Sequence, residues 1–365
     1  MDVFPNSLRR RYLNLLLVHP TARESKDVEN HLWMQTSYAF ISSYKQRIAA
    51  LDRAMQNNQR QQQQPPQRQN NHGPVEYRKL IQRFRQFLAD EDRFWTQLVL
   101  RLCRLFDLQE AQPALHVIGL LGRTDGIVPP ASGAEGPIVE TRDGVMHNSN
   151  GRNHFQFPPE DPAASFAPTT PEERTARLAI LTKAVICLGD IARYRELYNE
   201  SGRRPKADHE DGGSARRGRN RRGGVAAEAF PRQRTYEKAQ LCYEQARLLL
   251  PYEGNPSHQL AILASYKKDS FASLVHYYRA LCVRQPYDTA AENLGTVLTK
   301  ALELWRQRTR RGEKHIDTSV APRVRIEAFK EKVVVLHALW RVGMDKGIEK
   351  YVAYHCYDFM SHLFD

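Results

Sequence analysis

Several signatures of catalytic proteins are missing from this sequence. It contains no HExxH metal motif, no phosphate-binding loop, no nucleophile elbow and no dinucleotide fingerprint. The five cysteines lie far apart, form no CxxC pair and are odd in number, so the sequence predicts neither a disulfide framework nor a zinc site. The 13 histidines are scattered, and those in helices beside aromatics are typical of packing or surface positions: His276, His337 and His355. We therefore predict a protein that is not an enzyme and needs no cofactor or metal.

Long apolar runs are also missing. No stretch approaches the roughly 18 consecutive apolar residues that a membrane span needs. Residues 1–20 lack the long apolar core and the small-residue cleavage site of a signal peptide. Most of the cysteines fall in apolar helical stretches, where cysteine is usually a small buried hydrophobe. These features predict an intracellular protein in a reducing compartment, with no membrane partner.

Strand patterns are absent, and helical periodicity takes their place. No alternating apolar and polar run is bounded by turn residues, so we predict an all-α fold. Residues 7–18 form an amphipathic helix that Pro20 stops. A second helix begins near Ser25 or Asp27, either of which can cap it. It continues to Leu51, about 40 Å long, with one six-residue gap between apolar positions.

Two further helical stretches follow in the first half of the chain. Apolar periodicity returns from Val75 to Leu108, either as one helix or as two helices broken at the acidic cluster 89–92. Thr170 then supplies a helix cap, with Pro171 at the first helical position and acidic residues in the first turn. This helix runs to Leu197.

Low-complexity segments separate the helices. Residues 57–74 are rich in glutamine and proline, and residues 125–169 are rich in glycine, proline and asparagine, so both are predicted as disordered inserts. Residues 201–234 form a third insert, which is basic. The net charge of +13 makes an anionic partner plausible, although part of that charge is concentrated in the third insert.

A helical repeat organises the stretch from Tyr236 to Lys300. Small residues and a tyrosine follow the spacing of the second helix of a tetratricopeptide repeat, and they recur after 34 residues. The first set is Ala239, Tyr243, Ala246 and Pro251, and the second is Ser273, Tyr277 and Ala280, with Pro286 one residue late. Small residues allow two helices to approach closely. The pattern predicts a pair of repeat helices.

Two motifs resemble a known family. The run from Ala246 to Asn293 contains PxxGxPxxQLAILASY, then a Tyr-Tyr-Arg helix and PxxxAxxNL, and residues 188–195 read LGDIARYR. Both resemble the telomerase-associated "ever shorter telomeres" proteins and their relatives in nonsense-mediated mRNA decay. The resemblance implies a helical bundle like the 14-3-3 proteins that continues into tetratricopeptide-type helices.

Arg193 and Tyr194 are the strongest candidates for a binding site. They are adjacent on an otherwise apolar helix, where a guanidinium is pre-organised to grip an anion and a phenol adds a donor. The alternative is a structural ion pair between Arg193 and a nearby acid. The resemblance implies that this pair binds phosphoserine or phosphothreonine together with Lys45, although Arg47 fits the lysine position after a shift of two.

The basic insert holds a second candidate site. Its dense arginine and glycine run suits sequence-tolerant contact with a nucleic-acid backbone, through Arg216, Arg217, Arg219, Arg221 and Arg222. The alternative is a solvated linker. In the family, the region from the repeats onward is a DNA- or RNA-binding domain, so RNA and single-stranded DNA are implied partners.

These observations predict a domain order and a function. We expect a 14-3-3-like domain at 1–200, the basic insert at 201–234, repeats at 235–307 and the start of a helical hairpin region at 318–365. The resemblance implies a phosphoprotein-binding adaptor of nonsense-mediated mRNA decay, located in the cytoplasm and nucleus. Its partner would be a phosphorylated RNA helicase, with a paralogue as a further, heterodimeric partner. The alternative is a telomerase subunit that binds telomerase RNA or single-stranded telomeric DNA. Some relatives continue into a nuclease domain, which this chain would not reach.

Overall fold

The computed structural model describes most of the chain. The described residues are 4–20, 22–61, 73–121, 155–159, 165–199, 234–311 and 321–344. They fall into two compact units, one ending at Ala239 and the other beginning at Gln240. Within these ranges the regular structure is helical and contains no strand, which confirms the all-α prediction. None of the described helices combines the length and the apolar character that a membrane crossing requires.

The first unit contains six helices within the described residues. They are α1 (Phe4–Val18), α2 (Val28–Leu32), α3 (Ala39–Gln61), α4 (Gly73–Leu105), α5 (Gln112–Val117) and α6 (Pro171–Leu197). The long helix α4 packs against both α3 and α6. Helix α5 was not predicted, and its single short turn carries too few apolar residues to show a period.

The predicted second helix is divided into three parts. A π-helical turn, Trp33–Tyr38, lies between α2 and α3. This turn coincides with the six-residue gap between the apolar positions Leu32 and Tyr38. A π turn contains more residues than an α turn, so it changes the spacing at which apolar side chains return to the same face of the helix. Asp27 precedes α2 with a positive φ of 59° and makes no side-chain cap, and the hydroxyl of Ser25 instead donates to carbonyl oxygens of the α1 end.

Two segments predicted as inserts are partly ordered. Helix α3 extends to Gln61 and α4 begins at Gly73, so only residues 62–72 lie outside the described residues. Residues 155–159, within the predicted loop 125–169, pack along α4. There Phe155 and Phe157 contact the ring of Phe94, at centroid distances of 5.4 and 5.1 Å. Aromatic burial therefore orders a piece of a segment whose composition is typical of a loop.

Helix α4 runs without a break through the acidic cluster. Glu91, in that cluster, is 2% exposed and pairs with Arg9 of α1 at 2.7 Å. Its second oxygen accepts a hydrogen bond from Ser37 in the π-helical turn, at 2.6 Å. The guanidinium of Arg9 also lies over the ring of Phe94, at 4.1 Å. This buried network joins α1, the π-helical turn and α4.

The second unit is a series of consecutive helices. They are α7 (Glu237–Leu249), which begins just before the boundary, α8 (Asn255–Tyr266), α9 (Ser270–Leu281), α10 (Thr289–Arg310) and α11 (Pro322–Met344). Helix α9 packs against α8 and α10, and α10 packs against α11. The repeat residues of α7 and α9 lie on buried faces, with Tyr243 fully buried and Tyr277 3% exposed. Residues 345–365 lie outside the described residues.

Candidate phosphate-binding site

The three residues predicted to bind phosphate meet in the first unit. Two cations lie over the ring of Tyr194 on α6. The Nζ atom of Lys45 on α3 is 5.6 Å from the ring centroid, and the Cζ atom of Arg193 is 4.5 Å from it. The tertiary fold thus brings an ammonium and a guanidinium, which the chain separates by most of the first unit, to the same phenol ring.

Arg193 is more buried than an exposed binding residue would be. It is 6% exposed, and its guanidinium pairs with the carboxylate of Asp190, one helical turn earlier, at 3.2 Å. The ion pair that we considered as the alternative role of Arg193 is therefore present. An i,i+3 pair on one helix also fixes the orientation of the guanidinium.

Local sequence and tertiary packing both hold α6 in place. The hydroxyl of Thr170 accepts a hydrogen bond from the backbone N–H of Glu173, so the predicted cap is confirmed. From Leu181 to Tyr194 nearly every side chain of α6 is buried. A helix that is apolar almost all round must be covered on several sides, which explains how Arg193 becomes buried.

An aromatic series links α3 to the end of α6 through α4. The ring of Tyr44, which precedes Lys45, stacks on Phe84 of α4 at 4.9 Å. Phe84 in turn contacts the ring of Tyr198 at the end of α6, at 4.8 Å. The Nε atom of Arg85 also donates to the carbonyl oxygen of Tyr198, at 2.5 Å. This series sets where Lys45 projects, and the spacing of aromatics along one helix does not reveal such contacts between helices.

Asp92 was not predicted to have a role, and it pairs with two cations, one of which follows Tyr194 along α6. Its carboxylate contacts Arg195 of α6 and Lys238 of α7, each at 2.6 Å. In the sequence it was only part of an acidic cluster, where the stretch from Val75 to Leu108 could be one helix or two. Because both partners are distant along the chain, only the tertiary structure shows this arrangement.

The remaining predicted site residues belong to the basic insert. Arg216, Arg217, Arg219, Arg221 and Arg222 lie in residues 200–233, outside the described residues. Where the structure describes the chain, it contains no cluster of histidine, cysteine or acidic residues that could hold a metal ion. Three of the four cysteines it describes are buried, as predicted, and Cys282 is exposed. Burial raises the pKa of the Cys187 thiol far above its ordinary value.

Comparison with known proteins identifies two family domains. Residues 27–199 match the model of the telomerase activating protein Est1, and residues 239–340 match the model of the Est1 DNA/RNA binding domain. The first match contains Lys45, Arg193 and Tyr194, and the second covers most of the described second unit.

Individual relatives come from plants and vertebrates. The chain is 26% identical over 290 residues, 79% of its length, to the nonsense-mediated mRNA decay factor SMG7 of Arabidopsis thaliana. It is 29% identical over 150 residues, 40% of its length, to the telomerase-binding protein EST1A of Danio rerio. The matched stretches amount to only 20% and 8% of those two proteins. With both Est1 models matched in order along it, this chain belongs to the Est1 family.

Proposed function

We propose that the first unit binds a phosphorylated serine or threonine segment through Lys45, Arg193 and Tyr194. The observation that carries this proposal is the convergence of both cations on the ring of Tyr194, at 5.6 and 4.5 Å. A phosphate group carries about −1.5 to −2 charges and is recognised by two or three converging basic groups. The arrangement supplies two.

Each residue has a separate part in this recognition. The planar guanidinium of Arg193, oriented by Asp190, donates to the phosphate oxygens from a fixed direction. Lys45 is half-buried and adds a point charge on a flexible stem. The ring of Tyr194 contacts both cations, and its hydroxyl contributes a donor.

The role of such a site is to join a phosphorylated protein to other factors. The names of the relatives and the motif resemblance support an adaptor in nonsense-mediated mRNA decay, with a phosphorylated RNA helicase as the partner. In this proposal the chain works without catalysis, in the cytoplasm and the nucleus. The predicted domain boundaries remain part of the proposal, with the phosphopeptide unit at 1–200.

The test compares a phosphoserine peptide with the same peptide unphosphorylated, by fluorescence anisotropy. Lys45→Ala should weaken binding of the phosphopeptide about tenfold, which matches the loss of one charge-assisted contact. Arg47→Ala is the matched control. It removes one exposed cation from the same helix, two residues away and on a different face, so binding should stay unchanged.

The role of Arg193 in binding is tested with a conservative substitution. Charge reversal to glutamate would place a second carboxylate beside Asp190 in a buried position and would unfold the unit. Arg193→Lys keeps the charge and removes the planar fork, so the fold should persist and binding should fall. If Lys45→Ala and Arg193→Lys both retain full discrimination between the two peptides, the site lies elsewhere and the proposal is wrong.

A second candidate function is association with telomerase through RNA or single-stranded telomeric DNA. The match of residues 239–340 to a DNA/RNA binding domain and the similarity to a telomerase-binding protein support it. Binding of telomerase RNA and telomeric oligonucleotides, with a scrambled oligonucleotide as control, tests this candidate. Affinity for neither nucleic acid at physiological salt would rule it out.

A further inference from the structure

A groove of about 460 Å³ lies between α3 and α4 of the first unit. The two helices run antiparallel, because Phe40 contacts Phe87 at 5.9 Å toward one end of the pair and Met55 lies against Gly73 toward the other. The residues that line the groove are three or four positions apart on each helix, so each set shares one face. Two packed helices, rather than a loop, therefore form the groove.

Three cations and one carboxylate line this groove. The cations are Arg47 on α3 and Lys79 and Arg83 on α4, and the carboxylate is Glu76. All four side chains are exposed. Within the described residues, no ion pair involves any of the three cations. The groove therefore carries a net positive charge that the first unit itself does not neutralise.

The register of the two helices brings the three cations to the same level of the groove. Tyr44 of α3 stacks on Phe84 of α4, at 4.9 Å. Because the helices are antiparallel, Arg47, one turn further along α3, lies level with the stretch between Lys79 and Arg83. A ligand that bound at this level would meet cations from both helices.

Aliphatic side chains form the floor of the groove. Leu51 is half-buried and Leu80 is buried, and both line it together with Ala50. Among the described residues that line the groove, none has an aromatic ring on which a nucleobase could stack. Cations beside an apolar floor match a peptide in which carboxylates flank an apolar side chain. They match a single-stranded nucleic acid less well, because only its phosphates would find a partner.

We infer that the groove between α3 and α4 binds an acidic segment of a partner protein. An apolar side chain of that segment packs against Leu51 and Leu80, and its carboxylates pair with the three cations. Two successive positions along an α-helix turn through about 200° around its axis, so Arg47 and Lys45 project from opposite sides of α3. The groove is therefore separate from the candidate phosphate-binding site, and the inference does not depend on that site. Two separate sites allow the first unit to hold two protein segments at once.

The experiment measures binding of a labelled acidic peptide to the full chain by fluorescence anisotropy at low salt. The probe is a 14-residue peptide with leucines four positions apart and glutamates at the flanking positions. Arg47→Ala should weaken its binding about threefold, and Lys79→Met combined with Arg83→Met about tenfold, since each exposed ion pair contributes up to about 1 kcal/mol. Arg78→Met is the matched control. It removes an exposed charge next to Lys79 that does not line the groove, so binding should stay unchanged.

Changes to the peptide test the charges and the apolar floor without altering the protein. A peptide with lysine in place of every glutamate should not bind, because it would face three cations. Replacement of both leucines by serine should weaken binding at least tenfold, because burial of one leucine side chain contributes about 1.5–3 kcal/mol. Neither a single-stranded RNA nor the phosphoserine peptide used for the phosphate-binding site should displace the acidic peptide.

Each outcome supports or overturns the inference. If the acidic peptide does not bind, or binds equally well to all of these variants, the inference is wrong. If the serine-substituted peptide binds as tightly as the original, the contact is one of surface charge only and the groove is not its site. If RNA displaces the peptide and loses affinity in the same variants, the groove serves nucleic acid. If the phosphoserine peptide displaces it, the two sites are not separate. Failure of phosphopeptide binding at Lys45 and Arg193 would leave the acidic-peptide result unaffected.

Discussion

Truncation of Glu91 should be among the most damaging single changes in the first unit. The carboxylate of Glu91 pairs with Arg9 at 2.7 Å and accepts from Ser37 at 2.6 Å, and both charged side chains are almost fully buried. Removal of one partner of a buried ion pair typically costs 3–5 kcal/mol, because the other charge stays buried without compensation. We expect Glu91→Ala to lower the free energy of unfolding of this unit by about 4 kcal/mol.

A double substitution separates the ion pair from simple packing. Arg9→Met combined with Glu91→Met removes both charges and retains similar volume, and methionine can keep a contact with Phe94. Replacement of a buried pair by apolar residues is often neutral or stabilising. The free energy of unfolding of the double variant should therefore be within about 1 kcal/mol of that of the unsubstituted protein, and well above that of the single variant Glu91→Ala.

The assay is urea unfolding followed by tryptophan fluorescence. Trp305→Phe and Trp340→Phe, made together as the background, leave Trp33 and Trp95, which both lie in the first unit. The fluorescence then reports unfolding of that unit alone, and the slope m should be unchanged by the substitution. As a control on the same helix, Asp90→Asn removes a partly exposed ion pair and should cost less than 1 kcal/mol.

Two results would refute this reasoning. If Glu91→Ala costs less than about 1 kcal/mol, Arg9 finds another partner or water enters, and the network is not buried as described. If the double variant is as unstable as Glu91→Ala, the loss comes from packing rather than from an uncompensated charge.

Three further predictions address other parts of the chain. Gly254→Ala should destabilise the second unit by about 1–3 kcal/mol in thermal unfolding, because an added Cβ would lie 2.3 Å from a carbonyl oxygen of α9. Gly295 lies within α10, where an added Cβ would meet no other atom, so Gly295→Ala should instead stabilise the second unit by about 0.5–1 kcal/mol. If the two glycine substitutions changed the stability equally, the packing argument would be wrong. Thr170→Ala should cost about 1 kcal/mol because the N–H of Glu173 loses its acceptor, and Thr170→Ser should restore the lost stability. Deletion of 215–224 should weaken RNA binding and flatten its salt dependence if that run contacts the phosphate backbone, whereas an unchanged salt slope would show that it is a solvated linker.

The helices were largely predictable because their signals are local. Thr170 and Pro171 marked the start of α6, and the 34-residue recurrence of small residues and tyrosine marked the buried faces of α7 and α9. Apolar periodicity also revealed the gap that contains the π-helical turn Trp33–Tyr38, although it did not show what filled that gap. Caps and periodic faces depend on residues within one or two turns of each other.

The candidate site was predictable only in part. Arg193 and Tyr194 were found because they are adjacent on an apolar helix, and Lys45 because a family resemblance pointed to it. The sequence raised an ion pair as an alternative for Arg193, but it did not identify Asp190 as the partner or show that Arg193 is nearly buried. Periodicity says which face of a helix is apolar, and it does not say how many neighbouring helices cover that face.

By itself, the sequence determined that this chain is helical and where most of its described helices begin. Only the tertiary structure decided which charges share a buried environment. Arg9 and Glu91 are 82 positions apart and look like ordinary surface residues in the sequence. The physical reason is the separation along the chain over which each kind of interaction acts. Hydrogen bonds and side-chain spacing within a helix act over a few residues, whereas burial and charge interaction depend on which distant segments meet in space.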